Sequence, residues 1–470
     1  MIPADFFILL KQELFIVLMI FVLLFYTLGK DRPNRSLLLW VNLLLLINLV
    51  VGFLDHTQGS LFSEMYHTDR WIVLQKNILN LAMLLISLQA YDWLEKHQHA
   101  AEFYILLLSS LLGLFFMISS GHLLMFYLGL EMSTIPLAAA ANFDLLKKQS
   151  SEAAMKLIIS SAFSSALLLL GISFVYGTTG TLSFAELPSH LSTSPLELFA
   201  FVLLLSGFAF KISAVPFHLW TADVYEGAPV AVTAYLSVIS KGAVLFVFVG
   251  FLFSVYKPLS GTWYPMVMGL SLATIIIGNL FALRQQNIKR FLAFSSIAQV
   301  GFILVGISGT SQMAASSVVF FVLVYVFSNL AAFGVVALVT AITGKESIKD
   351  YTGFYTNNKF LCWVLTIAVF SLAGVPPAAG FFGKFFLLMS GSSKGFYLFI
   401  TIAALNMVIS FYYYLKLVKT MFMDSTDKPL NKLPVSFLPR LSLYICLAGV
   451  LLVGLIGAVY AYIDSLSPLY

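Results

Sequence analysis

SGFAFKISAVPFHLW, residues 206–220, and LAGVPPAAGFFGKFF, residues 372–386, decide how this chain is read. Each is an apolar run broken by Pro, and each holds one lysine, Lys211 or Lys384. A third run, LSVISKGAVLF at 236–246, holds Lys241. A lysine deep in hydrocarbon costs roughly 2.5–3.5 kcal/mol on insertion scales, so it tends to face a polar interior and to mark an ion or proton pathway. Removal from water also favours the neutral form of an amine, and an amine that titrates nearer neutral pH can pass protons on.

Composition sets the class. The 470 residues are 60% hydrophobic and only 10% charged, with mean hydropathy +0.95, against about 25% charged residues in a soluble domain. An aromatic load of 44 Phe and 21 Tyr suits lipid and its interfaces. The net charge of +5 is no sign of nucleic acid, because the basic residues fall in short loops. Cys362 and Cys446 both lie in apolar runs, which argues against a disulfide framework or a Cys-ligated metal site. The opening MIPADFFILLKQEL lacks a basic stretch and a small-residue cleavage site, and reads as the start of a first span.

Apolar runs near the ~20 residues a span needs fall at about 12–28, 37–54, 72–91, 103–119, 122–142, 154–176, 197–220, 229–255, 263–283, 290–308, 313–342, 359–390, 395–422 and 439–462. The expected fold is therefore all-α and polytopic, with about fourteen transmembrane helices in one membrane domain, 1–470. Lys and Arg crowd the loops after odd-numbered runs: Lys30, Arg32 and Arg35; Lys147, Lys148 and Lys156; Arg284, Lys289 and Arg290; and the group from Lys416 to Arg440. Loops after even-numbered runs hold only Arg70, Lys257 and Lys394. The positive-inside rule puts the first set in the cytoplasm and both termini outside. Nearly all Asp and Glu fall in loops or at span ends. Glu131, in FYLGLEMSTIPLAAA (126–140), is the exception, inside the fifth run with Pro136 five residues on.

Runs seven and twelve share a plan: a break containing Pro216 in one and Pro376 and Pro377 in the other, with a lysine beside it. Proline removes a backbone donor, and freed carbonyls at membrane depth are tolerated only where protein or enclosed water satisfies them. Paired broken segments in two halves point to a transporter with internal repeats. The repeats expected are 103–255 and 263–422, inverted and of five helices each. If Glu131 approaches Lys211, each favours the charged form of the other, and loss of that contact would let Lys241 compete for the proton. Water chains would carry it onward past Ser206, Ser213, His218, Ser240, Gln299, Tyr325 and Ser328.

The bland alternative for Glu131, Lys211, Lys241 and Lys384 is a structural ion pair, or a lysine that snorkels to the interface. Lys241 is about a dozen residues into its span, where snorkelling is hard. Lys76, near the outer end of run three, is read as snorkelling. His218 is either a relay or a helix-end hydrogen bonder. Asp223 and Glu226 are read as caps of the loop after run seven, and Arg284, Lys289 and Arg290 as a topology anchor.

At these motifs the chain resembles the proton-pumping antiporter-like subunits of respiratory complex I, NADH–quinone oxidoreductase. The resemblance runs from about Phe103 to Thr420. It is carried by KISAVPFHLWTADVYEGAPVAVTAYLSVISKGA (211–243), GNLFALRQQNIKRFLAFSSIAQVGFILVG (278–306) and SLAGVPPAAGFFGKF (371–385). The lysine in GFFGKF is similar to the subunit N branch, related to mitochondrial NADH dehydrogenase subunit 2, and not to the branch with Glu there. The lack of a long C-terminal extension sets the chain apart from the branch that adds a lateral helix.

The resemblance implies a proton-translocating subunit with no redox chemistry of its own. Glu131 would match the fifth-span glutamate, Lys211 the pumping lysine, Lys241 the bridging lysine and Lys384 the outermost proton donor or acceptor, with His218, Gln299 and Tyr325 in support. NADH, FMN, iron–sulfur clusters and quinone are expected in partner subunits, with other membrane-arm subunits of complex I and the lipid bilayer as this chain's partners, in a bacterial-type cytoplasmic membrane. Many relatives carry His where this chain has Gln299 and Tyr where it has Phe294. Gln cannot titrate, so water held by Gln299 would have to substitute. Two other functions remain to be weighed: a subunit of a multisubunit sodium/proton antiporter, which shares the fold, and a structural spacer with an inactive channel.

Overall fold

The computed structural model describes residues 4–29, 34–54 and 57–468; Lys30 and Arg32 of the first basic loop lie outside them. The chain is helical almost throughout, because a segment in hydrocarbon must satisfy every backbone N–H and C=O internally. The membrane-crossing helices run α1 (Lys11–Thr27), α2 (Asn34–Leu54), α3 (Arg70–Gln89), α4 (Ala100–Ile118), α5 (Leu123–Ala141), α6 (Lys148–Thr179) and α7 (Pro195–Ile212). The short α8 (Leu219–Gly227) follows the first break. Then come α9 (Val230–Val255), α10 (Ser260–Ala282), α11 (Ile288–Ile307), α12 (Ser311–Thr343), α13 (Lys359–Ala373), α14 (Ala379–Ser392), α15 (Tyr397–Phe422) and α16 (Phe437–Leu455).

Twelve of the described helices are long and apolar enough to cross a membrane. With α1 and the broken pair α13–α14 they fill the fourteen runs read from the sequence. One element was not expected: an antiparallel hairpin, β1 (Gly59–Leu61) with β2 (Tyr66–Thr68), pairing Gly59 with Thr68 between α2 and α3.

Helix starts follow ordinary capping. Asp69 accepts from the Ile72 amide at 2.7 Å, and Asn287 from the Lys289 amide at 2.8 Å. Close packing uses glycine. A Cβ on Gly113 of α4 would lie 2.6 Å from the Ser133 amide of α5, and one on Gly278 of α10 would lie 2.7 Å from the Ala298 amide of α11. Small residues let helix backbones approach this closely in a membrane. The most enclosed helices are α11 and α12, each with 94% of its span buried, and α3 and α9 follow. The broken segments α7 and α13–α14 lie against this centre.

The two breaks look alike. α7 ends at Ile212 and Ser213 takes the left-handed conformation, φ 64°; α13 ends at Ala373 and Gly374 does so at φ 86°. The turn-closing bonds are the same in kind: the Ala214 amide reaches back to the Ala209 carbonyl, and the Val375 amide to the Phe370 carbonyl. α9 is also irregular. It carries π-helical turns at Leu236–Ser240, directly before Lys241, and at Phe251–Val255. Single π turns inside α-helices are frequent at functional sites.

Candidate functional site

Lys211, Lys241 and Lys384 are 9%, 2% and 0% exposed, so none of them snorkels. Lys211 Nζ donates to Thr134 Oγ1 and to Ser161 Oγ, both at 2.7 Å. Glu131 is half-buried and accepts from the Ser165 hydroxyl. Among the described residues no ion pair joins Glu131 to Lys211. The direct approach considered from the sequence is replaced by hydroxyls. Ser161 and Ser165 are one turn apart on α6, and Thr134 is about one turn from Glu131 on α5, so the carboxylate and the amine share two helix faces rather than a contact.

Lys241 begins a second cluster. Its Nζ donates to Ser296 Oγ of α11 at 2.9 Å. Ser237, in the π turn, lies 3.4 Å from Ser296 Oγ and 3.0 Å from the Tyr325 hydroxyl of α12. The aromatic face of Tyr225 sits 5.2 Å from Lys241 Nζ. A cavity of about 10 Å³ is lined by Ser237, Lys241, Ser296, Gln299 and Tyr325. That is about the room one water needs.

The third cluster is built on the α13 break. The helix end frees carbonyls there, and the predicted groups take them. Gln299 Nε2 donates to the Leu372 carbonyl at 2.9 Å, and Lys384 Nζ to the Ala373 carbonyl at 3.3 Å. Lys384 Nζ also lies 4.5 Å from the centre of the Phe302 ring. Ser328 and Ser371 hydroxyls are 2.7 Å apart, and Ser371 Oγ accepts from the Gly380 amide at 3.1 Å. Gln299 sits where the sequence raised a doubt. Its Nε2 also reaches the Tyr414 hydroxyl at 3.3 Å, Tyr414 is bonded to Ser295, and Gln299 Oε1 is buried without a partner. Phe294 stacks on Phe281 instead of joining this network.

Not every expected residue joins a cluster. Ser206 spends its hydroxyl on the Leu203 carbonyl of its own helix. Ser213 accepts from Thr221 at 2.6 Å, at the α7 break. Ser240 is half-buried and makes none of these bonds. His218 starts α8 without capping it, and its Nδ1 is buried with no partner. Sequence reasoning missed Thr134, Ser161, Ser165, Ser237, Ser296 and Tyr414; hydroxyls are common in apolar helices, and only the contact partner singles one out.

Two readings need correction. Lys76 does not snorkel: it is 1% exposed and bound to Glu13, a buried carboxylate in the first turn of α1. Lys289 and Arg290 do more than anchor topology. Lys289 pairs with Glu346 at 2.9 Å, and Arg290 bridges Asp223 at 2.7 Å and Glu226 at 2.8 Å. Lys156 of α6 completes the group at 2.6 Å from Asp223. Asp223 and Glu226 thus tie α8 to α11, and Asp223 ties it to α6. Removal from water alone would raise the Asp223 carboxyl; the Lys156 and Arg290 hydrogen bonds outweigh it and hold the group below the ordinary carboxylate value.

A family model described as the membrane region of NADH:quinone oxidoreductase and Mrp antiporters matches residues 120–410. The chain is 44% identical over 442 residues to NADH-quinone oxidoreductase subunit N of Phocaeicola vulgatus, covering 93% of this chain and 92% of that one. The chain belongs to the subunit N family of NADH-quinone oxidoreductase. A second subunit N, from Azobacteroides pseudotrichonymphae, is 45% identical and covers 87% of this chain and 86% of its own. A chain in the structure of respiratory complex I from Thermus thermophilus with bound aureothin superposes with TM-score 0.80 at 26% identity, over 95% of this chain and 97% of that one. A chain of the Mrp complex from Dietzia superposes at 0.84 over 96% and 95% of the two chains, but at 18% identity, so it shows the shared fold alone. At 44% identity over nearly the full length, the subunit N family is favoured over the sodium/proton antiporter alternative.

Proposed function

We propose that this chain is the membrane-arm subunit of an NADH-quinone oxidoreductase that translocates protons along Glu131, Lys211, Lys241 and Lys384, and that 103–255 and 263–422 are its two inverted repeats. One observation carries the reading: every buried lysine of this set ends on a hydroxyl or a freed carbonyl inside the protein, and Gln299 lines the Lys241 cavity while bonding the Leu372 carbonyl next to the one that holds Lys384. A hydroxyl both donates and accepts, so Ser165, Ser161, Thr134, Ser296, Ser237 and Tyr325 can hand a proton on where a carbonyl could only hold one. Gln299 cannot carry charge. Its role is to order water between the Lys241 cavity and the α13 break, where its own amide binds the Leu372 carbonyl and the Ala373 carbonyl holds Lys384.

The partners supply the drive. NADH oxidation and quinone reduction, with FMN and iron–sulfur clusters, belong to other subunits, and their charge movements bias the half-buried Glu131. That carboxylate lies among exposed Leu128, Met132 and Ile135, on a face a neighbouring membrane subunit would cover. When Glu131 is drawn away, Lys211 loses a favourable field and its proton moves to Lys241, then to Lys384 and out. The basic loops then face the bacterial cytoplasm and the termini face outward. The test is Lys384→Ala and Lys241→Ala in the assembled complex. Fewer protons moved per NADH, with NADH oxidation uncoupled rather than abolished, fits the axis. Full stoichiometry in both variants would leave the chain a spacer.

A further inference from the structure

Glu13 and Lys76 lie outside the segment 120–410 that the antiporter family model matches, and the axis above does not use them. They are 2% and 1% exposed, in the first turn of α1 and the second of α3. Lys76 Nζ donates to Glu13 Oε1 at 2.5 Å and to the Tyr66 hydroxyl of β2 at 3.1 Å. The Tyr66 hydroxyl lies 3.0 Å from the same Oε1 and 3.1 Å from the Leu9 carbonyl. Beside them Gln12 donates to Asn77 at 2.8 Å.

The arrangement is lopsided. Both strong donors crowd one carboxylate oxygen, while Glu13 Oε2 is buried with no partner. A pair that served only to hold helices together would gain from satisfying both oxygens, and apolar residues of similar volume often serve as well. A pocket of about 10 Å³ adjoins the pair, lined by Glu13 and Lys76 themselves with Gln12, Thr57, Thr68 and Val73 among others. It has room for one water. About one turn deeper, Asn48 of α2 and Asn80 of α3 also keep buried polar atoms without partners, so the seam stays polar below the ion pair. Among the described residues, the titratable groups facing Glu13 are Lys76 from α3, Tyr66 from the hairpin and Lys11 on α1 itself. α4 brings the ring of Phe115, 5.9 Å from Lys76 Nζ, and α2 brings no charge at this level.

We propose that Glu13, Lys76 and Tyr66 form a second proton-binding site, exchanging with the hairpin side of the membrane through water in the adjoining pocket. A proton from that water chain adds to Glu13 Oε2, forming the acid O–H bond and leaving a base in the water. Lys76 keeps the Tyr66 hydroxyl as acceptor while Glu13 is neutral. The site stands independently of the Glu131–Lys211 axis.

Infrared difference spectra of the intact complex, taken on acidification from the hairpin side, test it. A protonated-carboxyl band is expected in the wild type, lost in Glu13→Gln and retained in Glu131→Gln. Because the spectrum is taken at equilibrium, the band also persists in Lys211→Ala, so failure of the pumping axis and failure of this site are separable. If Glu13→Gln alone prevents assembly, the neutral pair Glu13→Gln with Lys76→Gln avoids a buried unpaired ammonium, and the band must be absent there too. The same band in wild type and in either Glu13 variant, or no such band before the complex dissociates, would overturn the proposal.

Discussion

Replacing Ser161 by Ala removes one of the two hydroxyls that hold Lys211. The amine keeps its 2.7 Å bond to Thr134 and loses its 2.7 Å bond to Ser161. A hydrogen bond to a charged group is worth about 1.5–3 kcal/mol. Carried fully into the transfer step, that is roughly a 10- to 150-fold slower proton movement through Lys211. The fold should survive, since alanine is the better helix former and only one oxygen is lost. Ser165→Ala breaks the Glu131 contact in the same way. If the two hydroxyls serve one path, the double variant should be little worse than the worse single variant; independent roles would make the losses multiply. The assay is NADH-driven proton movement in inverted membrane vesicles, scaled to the amount of assembled complex on a native gel. Unchanged protons per NADH in the Ser161→Ala/Ser165→Ala chain, with normal assembly, would refute the hydroxyl relay.

Other expectations follow from the same geometry. Gln299→Leu leaves the Leu372 carbonyl unpaired at a cost of about 1–3 kcal/mol and should lower pumping in an assembled complex. Gln299→His should keep it, and equal loss in both would contradict the water-ordering role. A Cβ at Gly380 would lie 1.7 Å from the Ser371 carbonyl oxygen, so Gly380→Ala should deplete assembled complex; Gly177→Ala, with nothing within 4 Å, should not. Normal assembly of Gly380→Ala would contradict the close approach at the break. Asp223 contributes stability that is complete above about pH 4, the range of an unfolded aspartate, and is lost as pH falls through its lower folded value. Each of its partly exposed pairs is worth about 0.2–1 kcal/mol. The gap in thermal unfolding between wild type and Asp223→Asn should therefore be largest near neutral pH and close on acidification; a gap that widens in acid would contradict the pairing.

The fourteen spans were legible because hydrocarbon leaves a chain few choices, and apolar length reports the helix directly. The breaks at Pro216 and Pro377 were legible for the same reason, since proline and glycine have no cheap place inside a span. Lys211, Lys241 and Lys384 stood out by their cost. What stayed hidden was cheap or distant. Ser161, Ser165 and Ser296 look like ordinary helix serines until their partners are known. The π turn before Lys241 has no proline or glycine to announce it. Glu13 and Lys76 sit near the ends of their runs, where a solvated reading is natural, and 63 residues separate the partners in sequence. Gln299 looked like a loss from the relay, yet Tyr414, from a helix far along the chain, and Ser295, one turn earlier on α11, supply hydroxyls beside it.

The measurement that bears most directly on the account is the number of protons moved per NADH oxidised by complex carrying Lys211→Ala, in sealed vesicles with assembly verified. The account predicts a lower ratio, because Lys211 is the one amine between Glu131 and Lys241 in the proposed path. A wild-type ratio with the complex intact would contradict it.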